Sequence, residues 1–232
     1  MRISKTALIT YFIFTIIAII ANILRNHSLL LVSKPFIVPT IYFYYFVTSK
    51  KVDVTFSTAI GFSFLGEAIG IMNFSDEIYY MLFPFFVSNI ILFVMSAKSL
   101  KRAKFKIENI LVFIIVILFL LYLFWAIVDL FSDANVVLLL EILFYGTSLF
   151  LLSCVAIFKL ITKMNSANLN LVLFIICLII SGIFYVIYNF KEKLIVLDII
   201  HFILQMISYY FLVNYKLFKE NYLHKIDLSN SK

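Results

Sequence analysis

Glycine and proline, the residues that most often end helices and form tight turns, occur only 5 and 3 times in these 232 residues. Charged residues are also scarce at 13%, about half the share of a soluble domain. The scarcity of turn-forming residues argues against a fold of many short elements. The scarcity of charged residues excludes water as the solvent for most of the surface. The chain is instead 64% hydrophobic, with 27 Phe and 14 Tyr.

Cysteine is scarce too, and both copies, Cys154 and Cys177, lie inside apolar runs without CxxC or Cys/His spacing. The sequence therefore predicts neither a disulfide framework nor a zinc site, and it implies no metal or organic cofactor. The formal charge of +7 comes from short basic clusters between apolar runs rather than from a continuous basic face. This distribution argues against nucleic acid as a partner.

Runs of about 20 apolar residues are long enough to cross a hydrocarbon layer of about 30 Å. Eight such spans are predicted, at 7–24, 29–49, 53–73, 78–97, 109–131, 135–158, 168–190 and 194–215. The first continues too far for a signal peptide, and the runs lack the period of two that a β-barrel needs. We therefore predict an all-α bundle of eight transmembrane helices with short loops, comprising one transmembrane domain (1–216) and a basic cytoplasmic tail (217–232).

The positions of Lys and Arg give this topology an orientation, because cytoplasmic loops carry the excess of basic residues. Fifteen of the 19 fall on one side: Arg2, Lys5, Lys50, Lys51, Lys98, Lys101, Arg102, Lys104, Lys106, Lys159, Lys163, Lys216, Lys219, Lys225 and Lys232. Only Arg25, Lys191 and Lys193 fall on the other. The pattern predicts a multi-pass protein of the bacterial inner membrane with both termini in the cytoplasm, where basic loops suit an anionic leaflet.

Five Lys, Asp, Glu or His residues lie at least four positions inside a predicted span, where each costs at least ~2.5 kcal/mol to insert. In the eight-span topology all five lie roughly 6 to 10 Å from the outer end of their helix. They are Lys34, Glu67, Glu141, Asp198 and His201. A shared depth predicts a polar pocket near the outer face.

Two of these residues have both a structural and a functional interpretation. Lys34 is followed by Pro35 and Pro39, so we expect a kink there. Its side chain either extends to the outer interface or serves as a cation for a phosphate headgroup or for Glu67. Glu67 lies between two glycines in FSFLGEAIG, which let a neighbouring helix or a substrate approach, and it is either a functional acid or half of a structural ion pair.

The remaining polar residues fit the same two interpretations. Glu141 is either a second carboxyl group or a side chain that reaches outward to water. Asp198, His201 and Gln205 share one helical face, as an interhelical hydrogen-bond set or as catalytic groups. The candidate lining is completed by three residues that are otherwise helix-packing groups, Ser88, Asn89 and Ser181.

Four segments carry a family resemblance: KPFIVP (34–39), FSFLGE (62–67), ISGIFYVIYNF (180–190) and IIHFILQ (199–205). In this order they resemble the Lys-Pro, Phe-Ser-x-x-Gly-Asp, Ser-Asp and Tyr-x-x-x-Gln elements of the YhhN-type lysoplasmalogenase family. Members of that family are eight-helix membrane proteins that hydrolyse the vinyl ether of lysoplasmalogens. The resemblance implies a lysophospholipid as the partner, together with the bilayer, and leaves the oligomeric state open.

The chain departs from the family pattern at four positions. Glu67 stands where the family has aspartate, which keeps the acid, whereas Gly182 stands at the second aspartate, which removes one. His201 replaces the tyrosine, and Asn89 occupies the place of a fourth-helix histidine. The carboxylate pair of the family is therefore incomplete in this chain.

Vinyl ether hydrolysis needs a proton for the alkene carbon and then water attack, as paired carboxyl groups provide in glycosidases. The resemblance implies Glu67 as the general acid and Lys34 as the phosphate ligand. Three residues are candidates to activate water: Glu141, Asp198 and His201. Asn89, Ser181 and Gln205 are candidate substrate contacts.

Two other functions remain open. A noncatalytic relative would bind or sense lysolipid in the same pocket, and a small transporter or channel would use the polar cluster as a coupling site. A soluble type of hydrolase is disfavoured, because the sequence contains no GxSxG, HExxH or Ser/His/Asp arrangement.

Overall fold

The computed structural model describes residues 2–72, 77–98, 100, 108–131 and 135–230. The helices are α1 (Arg2–Ile23), α2 (His27–Ser33), α3 (Ile37–Thr48), α4 (Val54–Ile69), α5 (Glu77–Ala97), α6 (Glu108–Asp129), α7 (Val136–Thr162), α8 (Ser166–Phe190) and α9 (Ile195–Asn230), with a 3-10 turn at Lys34–Phe36. No strand occurs within the described ranges. The predicted all-α class is confirmed.

Seven helical stretches of the described chain are long and apolar enough to cross a membrane: Ile3–Ile23, His27–Thr48, Tyr80–Ala97, Asn109–Asp129, Val136–Thr162, Ser166–Phe190 and Ile195–Asn221. The chain is therefore a multi-pass integral membrane protein. The predicted span 53–73 corresponds to α4, which is apolar but has 16 residues. At 1.5 Å per residue α4 is about 24 Å long, shorter than the hydrocarbon layer, so eight crossings stay a prediction.

Helix α6 shows most directly which solvent the fold requires. Its span Asn109–Asp129 has the highest mean hydropathy of the seven, 3.2, yet none of its residues is buried inside the protein. Large apolar side chains such as Leu118, Phe119 and Trp125 are exposed along it. A helix that is apolar on every side is stable in hydrocarbon rather than in water.

Polar caps, rather than glycine or proline, begin several helices. Asn26, Asp53, Asn135 and Asn165 accept hydrogen bonds from the first-turn N–H groups of α2, α4, α7 and α8. Each such cap stabilises a helix by about 1 kcal/mol. Short Asn- and Asp-containing connections therefore separate long helices in a chain with few turn residues.

The turn from α1 to α2 places Arg25 in the left-handed region, at φ 54°. The Arg25 N–H bonds the Asn22 carbonyl at 3.1 Å, and the Asn26 N–H bonds the Ala21 carbonyl at 2.9 Å. These two bonds form a Schellman motif, in which glycine usually occupies the left-handed position.

The expected kink after Lys34 is confirmed as a break in the regular helix. The 3-10 turn Lys34–Phe36 separates α2 from α3, and Pro35 lies inside it. Pro39 is the third residue of α3. Both prolines thus occupy first-turn positions, where a missing N–H costs little.

The chain forms two compact units: unit 1 contains Met1–Val52 and Asn165–Lys232, and unit 2 contains Asp53–Met164. In unit 1, α8 packs along α9, while α1 and α3 pack on each other and on α9. The Tyr11 hydroxyl, fully buried, donates to the Met206 carbonyl and joins α1 to α9. The Tyr45 hydroxyl donates to Glu220 Oε1 at 3.1 Å and joins α3 to the far end of α9.

In unit 2, α4 packs on α5 through small residues, and α5 and α6 each pack on α7. The Ser63 and Ser88 hydroxyl oxygens are 2.8 Å apart, and Ser88 donates to the Ala59 carbonyl at 2.9 Å. A Cβ at Gly66 would lie 2.8 Å from the ring of Phe85. The expected close approach of a neighbouring helix at this glycine is confirmed.

Some predicted features lie outside the described residues. These are residue 73 at the end of the third span and the basic residues Lys101, Arg102, Lys104, Lys106 and Lys232. The predicted boundary at residue 216 lies inside α9, which continues as a helix to Asn230. The assignment of 217–232 as a cytoplasmic tail stays a prediction.

Substitutions at Arg25 test the α1–α2 turn. Both Arg25→Ala and Arg25→Gly remove the arginine side chain. Alanine is still strained in the left-handed backbone conformation, because it has a Cβ atom, whereas glycine is not. We expect Arg25→Gly to be more stable than Arg25→Ala by about 1 kcal/mol, measured by thermal unfolding in detergent. The same pair at exposed Lys50, whose φ is not positive, is the control. Equal melting temperatures of the two Arg25 variants would contradict the motif.

Two glycines on α4 test helix packing within unit 2. Nothing lies within 4 Å of a Cβ built at Gly61, whereas one at Gly66 meets Phe85. Gly61→Ala should stabilise the protein by about 0.5–1 kcal/mol, since alanine is the better helix former. Gly66→Ala should destabilise it by about 1–3 kcal/mol through overpacking. Melting temperatures that shift in the same direction would rule out the close α4–α5 approach.

Candidate functional site

In unit 1, two of the predicted site residues bond each other directly. The Ser181 hydroxyl on α8 is 2.8 Å from His201 Nδ1 on α9, and the Ser181 carbonyl oxygen is 3.0 Å from the same nitrogen. The Ser181 hydroxyl also lies 3.0 Å from the His201 carbonyl, to which it donates. Ser181 is only 3% exposed, so its side chain is committed to this contact.

This bond pattern assigns a tautomer to the histidine. Because the Ser181 hydroxyl gives its proton to the His201 carbonyl, both oxygens near Nδ1 act as acceptors, and Nδ1 carries the hydrogen. In the neutral ring Nε2 then holds the lone pair. No residue in the described part of the chain bonds Nε2, which leaves it available to accept a proton or a hydrogen bond.

Lys34 and Tyr185 lie next to this pair. The Lys34 ammonium is 5.5 Å from the ring centre of Phe202, the residue after His201, within the range of a cation–π contact. The Tyr185 ring is centred 4.9 Å from the His201 ring. Tyr185 follows Ser181 by one helical turn on α8. Lys34 and Tyr185 thus contact two consecutive residues of α9, Phe202 and His201 respectively.

Asp198 lies one turn before His201 on α9 and is partly buried. Its Oδ2 accepts a hydrogen bond of 3.3 Å from Asn22 Nδ2 at the end of α1. The nearby Arg25 donates to the Tyr188 hydroxyl at 3.1 Å, and this bond raises the pKa of Arg25, with a smaller contribution from the charge of Asp198. Asp198 therefore belongs to a polar rim at the helix ends.

In unit 2, Glu67 on α4 is 3% exposed and lies within electrostatic range of Tyr145 on α7. Asn89 Nδ2 on α5 donates to the Ser148 hydroxyl at 3.4 Å, and that hydroxyl donates to the Tyr145 carbonyl at 2.6 Å. Three helices thus contribute to one buried polar set around Tyr145.

Glu141 lies one turn before Tyr145 on α7. Its Oε2 is buried and has no hydrogen-bond partner among the described residues, although the side chain as a whole is partly exposed. A buried unpaired carboxylate oxygen costs about 1–3 kcal/mol or more. Either a proton or a ligand on this oxygen would remove that cost.

The predicted site residues therefore divide between the units. Lys34, Ser181, Asp198, His201 and Gln205 belong to unit 1, and Glu67, Asn89 and Glu141 to unit 2. The pairing of Lys34 with Glu67 stays a prediction. No group of three or more His, Cys, Asp or Glu side chains within the described ranges could hold a metal ion.

Five residues that take part in these polar contacts were not predicted from the sequence: Asn22, Tyr145, Ser148, Tyr185 and Tyr188. Helical spacing contained a hint of two, since Tyr185 follows Ser181 by four positions and Tyr145 follows Glu141 by four. Asn22 and Tyr188 gave no such hint, because their contacts join elements far apart in the chain.

Comparison with known proteins finds no relative of this chain. No model of a protein family matches the chain, and no curated protein or solved structure is significantly similar to it.

Proposed function

We propose that the chain is a membrane hydrolase that cleaves the vinyl ether of a lysoplasmalogen, as its resemblance to the YhhN-type family implies. One observation supports this most: three of the four resembling segments meet within unit 1. Ser181 of ISGIFYVIYNF bonds His201 of IIHFILQ, and Lys34 of KPFIVP lies over Phe202 of IIHFILQ. Segments far apart in sequence thus build one polar position.

The proposed reaction begins with proton transfer. The acid donates a proton to the alkene carbon β to the ether oxygen, which converts the vinyl ether to an oxocarbenium ion. Glu67 is the proposed acid, because it takes the place of a family aspartate and its carboxyl group is buried in an apolar helix.

Water then attacks the oxocarbenium carbon and loses a proton to a base, and the resulting hemiacetal separates into an aldehyde and a glycerophospho-alcohol. Among the three candidate bases, the geometry favours His201, whose Nε2 carries a free lone pair and whose ring is fixed by Ser181. Asp198 is already bonded to Asn22. In this proposal Ser181 is a positioning residue.

The substrate phosphate has a proposed ligand in Lys34. Lysine is a compact cation suited to a phosphate, and its ammonium lies beside the aromatic ring that follows the base. We further propose eight crossings with both termini in the cytoplasm of a bacterial inner membrane, which would open the site to the outer leaflet.

Aldehyde release from a lysoplasmalogen by the purified protein tests the proposal. Glu67→Gln and His201→Gln should each lower the rate by about 10²-fold or more, the contribution of general acid or base catalysis. Glu192→Gln and His27→Gln, at exposed positions, are the matched controls and should keep the rate. No aldehyde from the wild-type protein would refute the hydrolase, and full activity of Glu67→Gln would remove only that assignment.

A second candidate function is noncatalytic lysolipid binding. Gly182 favours it, because this residue takes the place of the second family acid and no atom lies within 4 Å of a Cβ built there. A binder would raise its melting temperature with lysolipid but release no aldehyde.

Gly182→Asp distinguishes the two functions. The open space at this position accepts the new side chain, so the fold should persist. If the absence of the second acid limits turnover, Gly182→Asp should raise aldehyde release at least about tenfold. Gly182→Asn adds a side chain of equal size without the acid and should not raise it. Equal rates of the two variants would show that the missing carboxylate does not limit catalysis.

A further inference from the structure

Unit 1 contains a groove that the proposed hydrolase does not use. Its volume is about 350 Å³, and it lies between the first half of α1 and the middle of α3. The residues that line it are Ile3, Thr6, Ala7, Thr10, Thr40 and Phe43. We call it the α1–α3 groove.

Two of the three threonines add little polar surface to this groove. The Thr10 hydroxyl donates to the Thr6 carbonyl at 3.0 Å, and the Thr40 hydroxyl donates to the Phe36 carbonyl at 2.7 Å. Because each of these hydroxyl groups is bonded to a carbonyl of its own helix, the methyl group is the part of the threonine side chain that remains for contact. With Ile3, Ala7 and Phe43, the lining suits a hydrocarbon chain rather than a polar ligand.

The groove lies toward the basic end of unit 1. Phe43 is five residues, or roughly 8 Å, from the end of α3 at Thr48, and exposed Lys50 and Lys51 follow that end. The first 52 residues contain no Asp or Glu. Glu220, which reaches this end from α9, bonds Tyr45 and pairs with Lys216 at 3.5 Å.

An apolar groove that leads toward two exposed lysines matches the layout of an anionic glycerophospholipid. We propose that the α1–α3 groove binds one acyl chain of such a lipid, taken from the bilayer leaflet on the basic side, while Lys50 and Lys51 hold its phosphate. Each lysine near a membrane surface favours an anionic lipid by about fivefold. This site is independent of the proposed hydrolase.

The test measures lipid retained by the purified full-length chain. Protein is exchanged into vesicles of equal phosphatidylglycerol and phosphatidylcholine with identical acyl chains, repurified, and its bound lipid counted by native mass spectrometry. We expect phosphatidylglycerol to be enriched, and Lys50→Gln/Lys51→Gln to lower that enrichment at least about fivefold. Lys191→Gln/Lys193→Gln, which removes two exposed lysines between α8 and α9, is the matched control and should keep it.

The groove itself is tested by filling it. Thr6→Phe, at an exposed lining position, should lower retention of both lipids, while Thr58→Phe, at an exposed position of α4, should not. Retention unchanged by Thr6→Phe overturns the groove as the binding site. Equal enrichment in the two lysine double variants, or none in the wild type, overturns the proposed headgroup contacts.

Discussion

Hydrocarbon offers no hydrogen bonds, and this property of the solvent constrains every polar group in the chain. Helix α6 makes the constraint visible, because it is apolar on all sides and no residue of its span is buried by the rest of the protein. Backbone groups along such a helix have only each other as partners. Hydroxyl side chains follow the same rule: Thr15, Ser33 and Ser153 each donate to the carbonyl one turn earlier in their own helix.

Within this solvent, association of helices depends on close packing rather than on exclusion of water. In unit 2 the small residues Ala59, Ser63 and Gly66 of α4 let α5 approach closely enough for Ser63 and Ser88 to bond. In unit 1 buried tyrosines supply both packing area and a hydroxyl that finds a partner across the interface, as Tyr11 and Tyr45 do. The two units thus use different side chains for the same purpose.

The sequence was sufficient to predict the helices, because the hydrophobic runs that define them are long and uninterrupted. It also predicted the break after Lys34 from two prolines. It did not predict the Schellman turn at Arg25, since arginine is not the residue usually found at a left-handed position. Nor did it predict that α4 ends after 16 residues, because the apolar pattern continues past Ile69 while the helix does not.

The sequence predicted some of the residues in these polar contacts, such as Ser181 and His201, but not which residues meet. Helical spacing placed Asp198, His201 and Gln205 on one face, yet only the packing of α8 on α9 pairs Ser181 with His201. That pairing changes how the histidine is interpreted. A hydrogen bond between the two helices needs only one nitrogen of the histidine ring. In His201 that nitrogen is Nδ1, which lies within hydrogen-bond distance of two oxygens of Ser181.

The other nitrogen, Nε2, has no hydrogen-bond partner among the described residues, and in the neutral ring it carries the lone pair. A group that donates a hydrogen bond or a proton to Nε2 would complete the bonding of this ring. Helix packing through Ser181 thus uses one side of the imidazole and leaves the lone pair on the other side open, which is the property that the proposed water-activating role of His201 requires.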